Sequence, residues 1–346
     1  MRILFLTEGT TAPSTRFRVH QFLPHFEANH VSPTLRSAYG PRYNELSTTR
    51  FALAYKGFSR LRRALAGVDA SRFDIVFLQR SSLRFTAVPE RLIEMLNARI
   101  IFDIDDAVFM NADGTNNPRL HNTVSQITDL AAHVICGNHF LASEVGHSEK
   151  TTVIPTVIDA KKYTPDTRST NHDKLVMGWM GTSSNFRCIR AILPALLEIL
   201  DRFDDVVFRI VSNATFPELE GNSRVEQISW SAESELDLLR SFDVGIMPLA
   251  DTPWSRGKCG FKMIQYMSVG IPVVASAIGA NNDIFEGSNA GFLATTDEDW
   301  ISGLTRLLED AELRREAGEF GRQHVVENYS IESVVDDYIE VFNSLM

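Results

Sequence analysis

Three cysteines in 346 residues, at positions 136, 188 and 259, are too few and too scattered for a disulfide framework or a thiolate metal site. They read as reduced thiols of a cytoplasmic protein. Long apolar runs are also missing. None approaches the ~20 residues of a membrane helix, and Ile3-Leu4-Phe5-Leu6 soon meets Glu8, too early for a signal-peptide core. Positive charge is in deficit: 34 Lys and Arg face 44 Asp and Glu, for a net charge of −10. That balance disfavours a nucleic-acid binder held by phosphate contacts. Repeats and low-complexity tracts are absent. What is present is an ordinary globular composition, 44% hydrophobic and 23% charged, with length enough for roughly two domains.

Short apolar runs alternate with segments of helical period. The strand candidates are 2–7, 74–79, 99–103, 133–136 and 152–155 in the first half. In the second half they are 175–180, 206–212, 226–230, 243–248, 272–276 and 291–294. Several are unbroken, as in Ile75-Val76-Phe77-Leu78, the pattern of strands covered on both faces. Phe186 to Phe203 carries a helical stripe that Pro194 should bend or divide. Thr296 and Ser330 are placed to cap later helices. The alternation predicts an α/β protein with a doubly wound parallel sheet in each half. The boundaries expected are 1–165 and 175–329, a polar linker at 166–174, and a closing helix at 330–346. Ligands of such sheets sit beyond the carboxyl ends of strands, in the cleft that two tandem domains create.

The loop after the first strand holds Gly9, Ser14, Arg16 and Arg18, the materials of an anion site at a helix start but without G-x-G-x-x-G. The third clear strand runs into Asp103-Ile104-Asp105-Asp106-Ala107. Carboxylates beside a buried strand must be paired or used. They fit a D-x-D metal clamp, a polar cluster for a sugar or acceptor hydroxyl, or acids that cap a helix and pair with arginines. The stretch also resembles, locally, the nucleophile of haloacid-dehalogenase-like phosphatases, but Ala107 stands where that motif needs Thr or Val. Asn138 follows the next strand. In the second half, Gly178 to Asn185 offers a small-residue turn with Gly181, Thr182 and Ser183. Residues 248–276 place Arg256, Lys258 and Lys262 among Gly257 and Gly260, before a helix from Lys262 to Val269 that should end at Gly270. Cations on a glycine-bearing loop at a helix start suit a diphosphate. Gln265 is one turn beyond Lys262, within reach of a ribose hydroxyl. Residues 50–72 are rich in Arg and Lys, with Phe51, Tyr55, Phe58, Leu61 and Leu65 as a helical stripe. The stripe reads first as a face packed on the core, and alternatively as part of a basic surface that meets anionic lipid.

Gly178 to Thr182, the Asp243–Pro248 strand and Gln265-Tyr266-Met267-Ser268-Val269-Gly270-Ile271-Pro272-Val273-Val274-Ala275-Ser276 resemble the donor domain of GT-B glycosyltransferases, most of all glycosyltransferase family 4. The resemblance implies two Rossmann-like domains, an acceptor-binding one and a nucleotide-sugar-binding one, with the last helix returning to the first. It implies transfer from a nucleotide-diphosphate sugar to a carbohydrate, lipid-linked or other hydroxyl acceptor, with retention, no metal and no other cofactor. Gly181, Thr182, Ser183, Ser229, Trp230, Arg256, Lys258, Gly260, Phe261, Lys262 and Gln265 are the expected donor residues, and Asp105 and Asp106 the expected catalytic ones. Gly9, Ser14, Arg16, Arg18, Asp103 and Asn138 are expected on the acceptor side. The family's E-x7-E pair is lost, with Gly257 and Gln265 in the places of its acids. Its His-Asp pair stands as Asp105-Asp106. These departures keep two alternatives open, a nucleotide-sugar epimerase and a binding partner that has lost catalysis.

Overall fold

The computed structural model describes residues 1–40, 52–96, 99–111, 113–166 and 174–346. Arg50 and Phe51 of the basic segment, and 167–173 of the expected linker, lie outside them. The chain divides into two units. The first comprises Met1–Val157, Arg256–Cys259 and Ile331–Met346, the second Ile158–Ser255 and Gly260–Ser330.

The first unit is built on strands β1 (Arg2–Gly9), β2 (Ser32–Tyr39), β3 (Ile75–Gln79), β4 (Arg99–Ile104), β5 (His133–Cys136) and β6 (Thr151–Val153), in the order β2-β1-β3-β4-β5-β6. All neighbours are parallel. The order reverses between β1 and β3, so the crevice for a ligand opens beyond their carboxyl ends. Strand β2 escapes the sequence reading because it is an edge strand: Pro33 and Arg36 interrupt it, and most of its residues are only half-covered. The core beneath this sheet is aromatic. Phe5, Phe22, Phe26 and Phe77 meet Tyr338 and Phe342 of the helix Ile331–Ser344, with ring centroids 4.9 Å apart for Phe22 and Tyr338 and 5.3 Å for Phe26 and Phe342.

The second unit has strands β7 (Leu175–Met180), β8 (Val206–Ser212), β9 (Val225–Ser229), β10 (Val244–Met247), β11 (Val273–Ser276) and β12 (Gly291–Ala294). Their order is β12-β11-β10-β7-β8-β9, again all parallel, with the switch point between β7 and β10. Pro194 divides the expected helix as its chemistry demands. Phe186–Ala191 stops, and Leu193–Arg202 restarts with the proline in its first turn, where no backbone N–H is needed. Thr296 closes a capping box with Asp299 at the head of Asp297–Glu309.

One expectation is inverted. In the helix Ala52–Ala66, Phe58, Leu61 and Leu65 point to solvent, whereas Ser59 and Arg63 are buried. The stripe is therefore not a core face. Arg63 decides the orientation: its guanidinium Nη2 donates to the carbonyls of Leu6 within β1, of Gln79 at the end of β3 and of Arg80 just beyond it. Backbone carbonyls draw in a multiple donor more strongly than they would a leucine.

Candidate functional site

Loops beyond the strand ends carry the candidate residues, and each unit holds its own cluster. In the second unit, β7 ends at Met180 and the chain turns through Gly181, whose N–H donates to Val211. The loop after β10 leads to Gly260, with φ of +61°, which starts the helix Phe261–Ser268. A Cβ on Gly260 would lie 2.3 Å from Ile284 Cδ1, so only glycine fits. The stem of Lys262 then crosses the β7 turn. A Cβ on Gly181 would sit 2.8 Å from Lys262 Cε and 2.7 Å from Trp179 Cζ2, and the ammonium lies 5.9 Å from the centre of the Trp179 ring. Two segments separated by 80 residues of sequence thus meet because one of them lacks a side chain. Gln265 is buried one turn further on. Asn281, unnoticed in the sequence, lies beside the same loop. Its Nδ2 donates to the Ser276 carbonyl at 2.9 Å, and its buried Oδ1 has no hydrogen-bond partner among the described residues. Thr182, half-buried Ser183 and exposed Ser229 line strand ends of this sheet, and Phe261 opens the Lys262 helix. Trp230 is fixed from behind: its indole N–H donates to Glu235, which also accepts the Tyr163 hydroxyl at 2.6 Å. Glu235 is buried rather than a surface acid.

In the first unit the central residue is Arg80, which the sequence reading passed over. It follows β3 directly, with φ of +57°, a strained value for an arginine. Its Nε donates to Asp105 Oδ1 and its Nη2 to Asp106 Oδ2, both at 2.7 Å, and Glu8 lies 3.9 Å from Nη1. Burial pushes both aspartates up. At Asp105 burial is the largest single influence, but Arg80, Arg18 and the hydrogen bonds together outweigh it, and its pKa falls below the ordinary value. At Asp106 burial prevails over Arg80, with the Asp105 charge adding to it, and its pKa lies above the ordinary value. Asp105 is buried and Asp106 keeps about a third of its side chain exposed (32%). The two expected catalytic acids, both held by Arg80, therefore differ in exposure and in the direction of their pKa shift.

Several expected site residues have other work. Arg18 and Asp103 are not available to a ligand. They form an ion pair with both side chains fully buried, and Arg18 Nη1 also donates to Ile154 O at 3.0 Å and to Thr156 Oγ1 at 3.2 Å. Burial opposes the Arg18 charge, and Asp103 outweighs it, leaving the pKa above its ordinary value. Asp103 and Asp105, the two acids of the D-x-D reading, each pair with a different arginine, Arg18 and Arg80. Asn138 caps the helix His139–Val145 through Leu141 N–H and donates to the Lys258 carbonyl at 3.1 Å. Gly9 lies against Tyr39, and its N–H donates to Thr15 Oγ1. Ser14 and Arg16 are half-buried on the short helix Pro13–Arg18, with Arg16 over the Phe17 ring.

Arg256 and Lys258, expected beside Lys262, group instead with the first unit. The Lys258 charge acts on Asp106. Between them Gly257 is pressed on Ala107: a Cβ there would lie 2.6 Å from Ala107 Cβ and 3.2 Å from both Ala107 N and Leu141 Cδ2. The missing first acid of E-x7-E is therefore a packing feature. Gly257→Glu is expected to destabilise the chain by ~1–3 kcal/mol without supplying a usable carboxylate. Melting temperatures check this, and Ala107→Gly in the same chain should recover part of the loss.

Comparison with known proteins bears on family and fold. Residues 174–310 match the family described as Glycosyl transferases group 1. Spore coat protein SA of Bacillus subtilis is 20% identical over 311 residues, 80% of each chain. D-inositol 3-phosphate glycosyltransferase of Corynebacterium jeikeium is 25% identical over 197 residues, 50% of this chain and 46% of that one. The crystal structure of Anabaena Alr3699/HepE in complex with UDP and glucose has a TM-score of 0.72 at 16% identity, covering 99% of this chain and 100% of that chain. Sucrose-phosphate synthase from Thermosynechococcus elongatus has a TM-score of 0.77 at 15% identity, covering 100% and 99%. Residues 174–310 thus match the family of group 1 glycosyl transferases, and the chain as a whole shares the GT-B fold of these solved structures.

Proposed function

We propose that the chain moves a sugar from a nucleoside-diphosphate donor to an acceptor hydroxyl, with retention and without a metal ion. The observation that carries this reading is Lys262 laid across Gly181 at the switch point of the second sheet. A cation fixed over a side-chain-free turn can meet a diphosphate closely, and Lys262 supplies the charge that a metal would otherwise bring. In the reaction the bond from the anomeric carbon to the phosphate oxygen breaks, and its electron pair leaves with the diphosphate. The acceptor oxygen bonds to that carbon on the face being vacated. Its proton passes to Asp106, the more exposed carboxylate, which Arg80 holds through Nη2. The UDP bound by the Anabaena relative supports a nucleotide of that class as donor.

The test is thermal stability against a panel of nucleoside diphosphates and nucleotide sugars, with and without EDTA. A ligand at ~100 times its Kd stabilises by ~2.7 kcal/mol, several degrees in Tm. One nucleotide series should raise Tm equally in EDTA, and its sugar form should support transfer with retained anomeric configuration. No shift at millimolar concentration overturns the donor assignment. A shift lost in EDTA overturns the metal-free part.

A further inference from the structure

The first unit carries two helices built inside out. Along Ala52–Ala66, Leu53, Phe58, Leu61 and Leu65 are 51–87% exposed, while Arg63 is buried. The helix Val88–Met95 repeats the arrangement. Glu90 is fully buried and accepts the Ser82 N–H at 2.8 Å, and Val88, Leu92 and Met95, spaced as one helical stripe, are 53–72% exposed. The two segments meet at Gly67, where a Cβ would lie 2.7 Å from Ile93 Cδ1. Ten of the fourteen large apolar side chains exposed among the described residues fall between Leu53 and Leu96, so they form a patch and not a scatter.

Its surroundings have a sign. The helix Ala52–Ala66 contains four cations and no acid. Exposed Arg62, Arg84 and Arg91 border the apolar residues, against Asp69 and Glu94, in a chain whose net charge is −10. We propose that this face docks on an anionic lipid bilayer, with the leucines, Phe58 and Met95 in the acyl boundary and the arginines at the head groups. A second copy of the chain fits less well, because a two-fold contact would set one arginine rim against the other. The inner side of the same helix, through Arg63, grips the strand ends that lead to Glu8 and Arg80. Docking would therefore bring the Arg80–Asp106 cluster close to the lipid surface. The proposal stands apart from the choice of donor, since binding is read with no sugar present.

The experiment is flotation of the full chain with vesicles of phosphatidylcholine alone or mixed equally with phosphatidylglycerol. The chain should float with the anionic vesicles and be released as salt rises from ~0.1 M to ~1 M, where charges are screened within ~3 Å. Phe58→Glu with Leu61→Glu, and separately Leu92→Glu with Met95→Glu, should each lower the partition coefficient at least tenfold. Their circular dichroism should be unchanged, because these positions are outside the core. Arg62→Glu with Arg91→Glu should remove the preference for phosphatidylglycerol. Failure of the wild-type chain to float overturns the proposal, as does flotation that the apolar variants leave intact. If light scattering shows a dimer that Leu61→Glu converts to a monomer, the face belongs to a second copy and the proposal also falls.

Discussion

Lys262→Ala is expected to lower kcat/KM by ~10²–10³-fold, the usual consequence of removing one fixed donor from developing negative charge. The same change should weaken binding of the nucleoside diphosphate by ~10–100-fold, since a charged hydrogen bond contributes ~1.5–3 kcal/mol. Stability should barely move, because Lys262 is only half-buried and its stem covers Trp179 without being part of the core. Lys262→Met keeps that stem and should behave as the alanine variant does, which separates charge from packing. Asp106→Asn is the crossed control. Donor affinity should be retained and transfer reduced to a residual rate whose pH profile lacks the acid limb. In the unaltered chain that limb lies above the ordinary aspartate value, because burial and the Asp105 charge hold Asp106 protonated to higher pH. Isothermal titration with the nucleotide and initial rates between acid and neutral pH provide both readouts. Unchanged nucleotide affinity in Lys262→Ala would remove the donor site from this loop.

The sequence made the second unit more legible than the first, and the reason is physical. Strands such as Val206–Ser212 are apolar on both faces, and a proline or a capping threonine fixes its helix locally. Gly181 and Lys262 could be named separately by the rule that ligands lie beyond strand ends, although only the fold shows that one crosses the other. The first unit depends on partners remote in sequence. Arg18 reads as a free cation until Asp103, 85 residues away, is brought against it. Arg80 was open to the same strand-end rule, but its importance rests on a left-handed backbone and two aspartates 25 and 26 residues on. Periodicity shows that Ala52–Ala66 has an apolar face. It does not show which way that face turns, and the decision lies with one arginine and three backbone carbonyls.

The buried Arg18–Asp103 pair should show the largest effect on stability. Arg18→Ala leaves Asp103, whose pKa burial already holds above the ordinary value, without its partner in the core and removes donors from Ile154 O and Thr156 Oγ1. Breaking such a pair from one side costs about 3–5 kcal/mol. At ~2–4 °C per kcal/mol for a domain of this size, Tm should fall on the order of 10 °C. Asp103→Ala should be comparable, since it strands the guanidinium instead. Replacing both, as Arg18→Met with Asp103→Leu, should recover much of the loss, because apolar groups of similar volume remove the unpaired charge. Recovery should be incomplete, as Ile154 O would still lack its donor. The double variant also tests function. A pair that serves only the frame leaves nucleotide binding and transfer near wild type once folding is restored. A double variant that is stable yet inactive would return Arg18 to the acceptor site, where its place in the loop after β1 first suggested it.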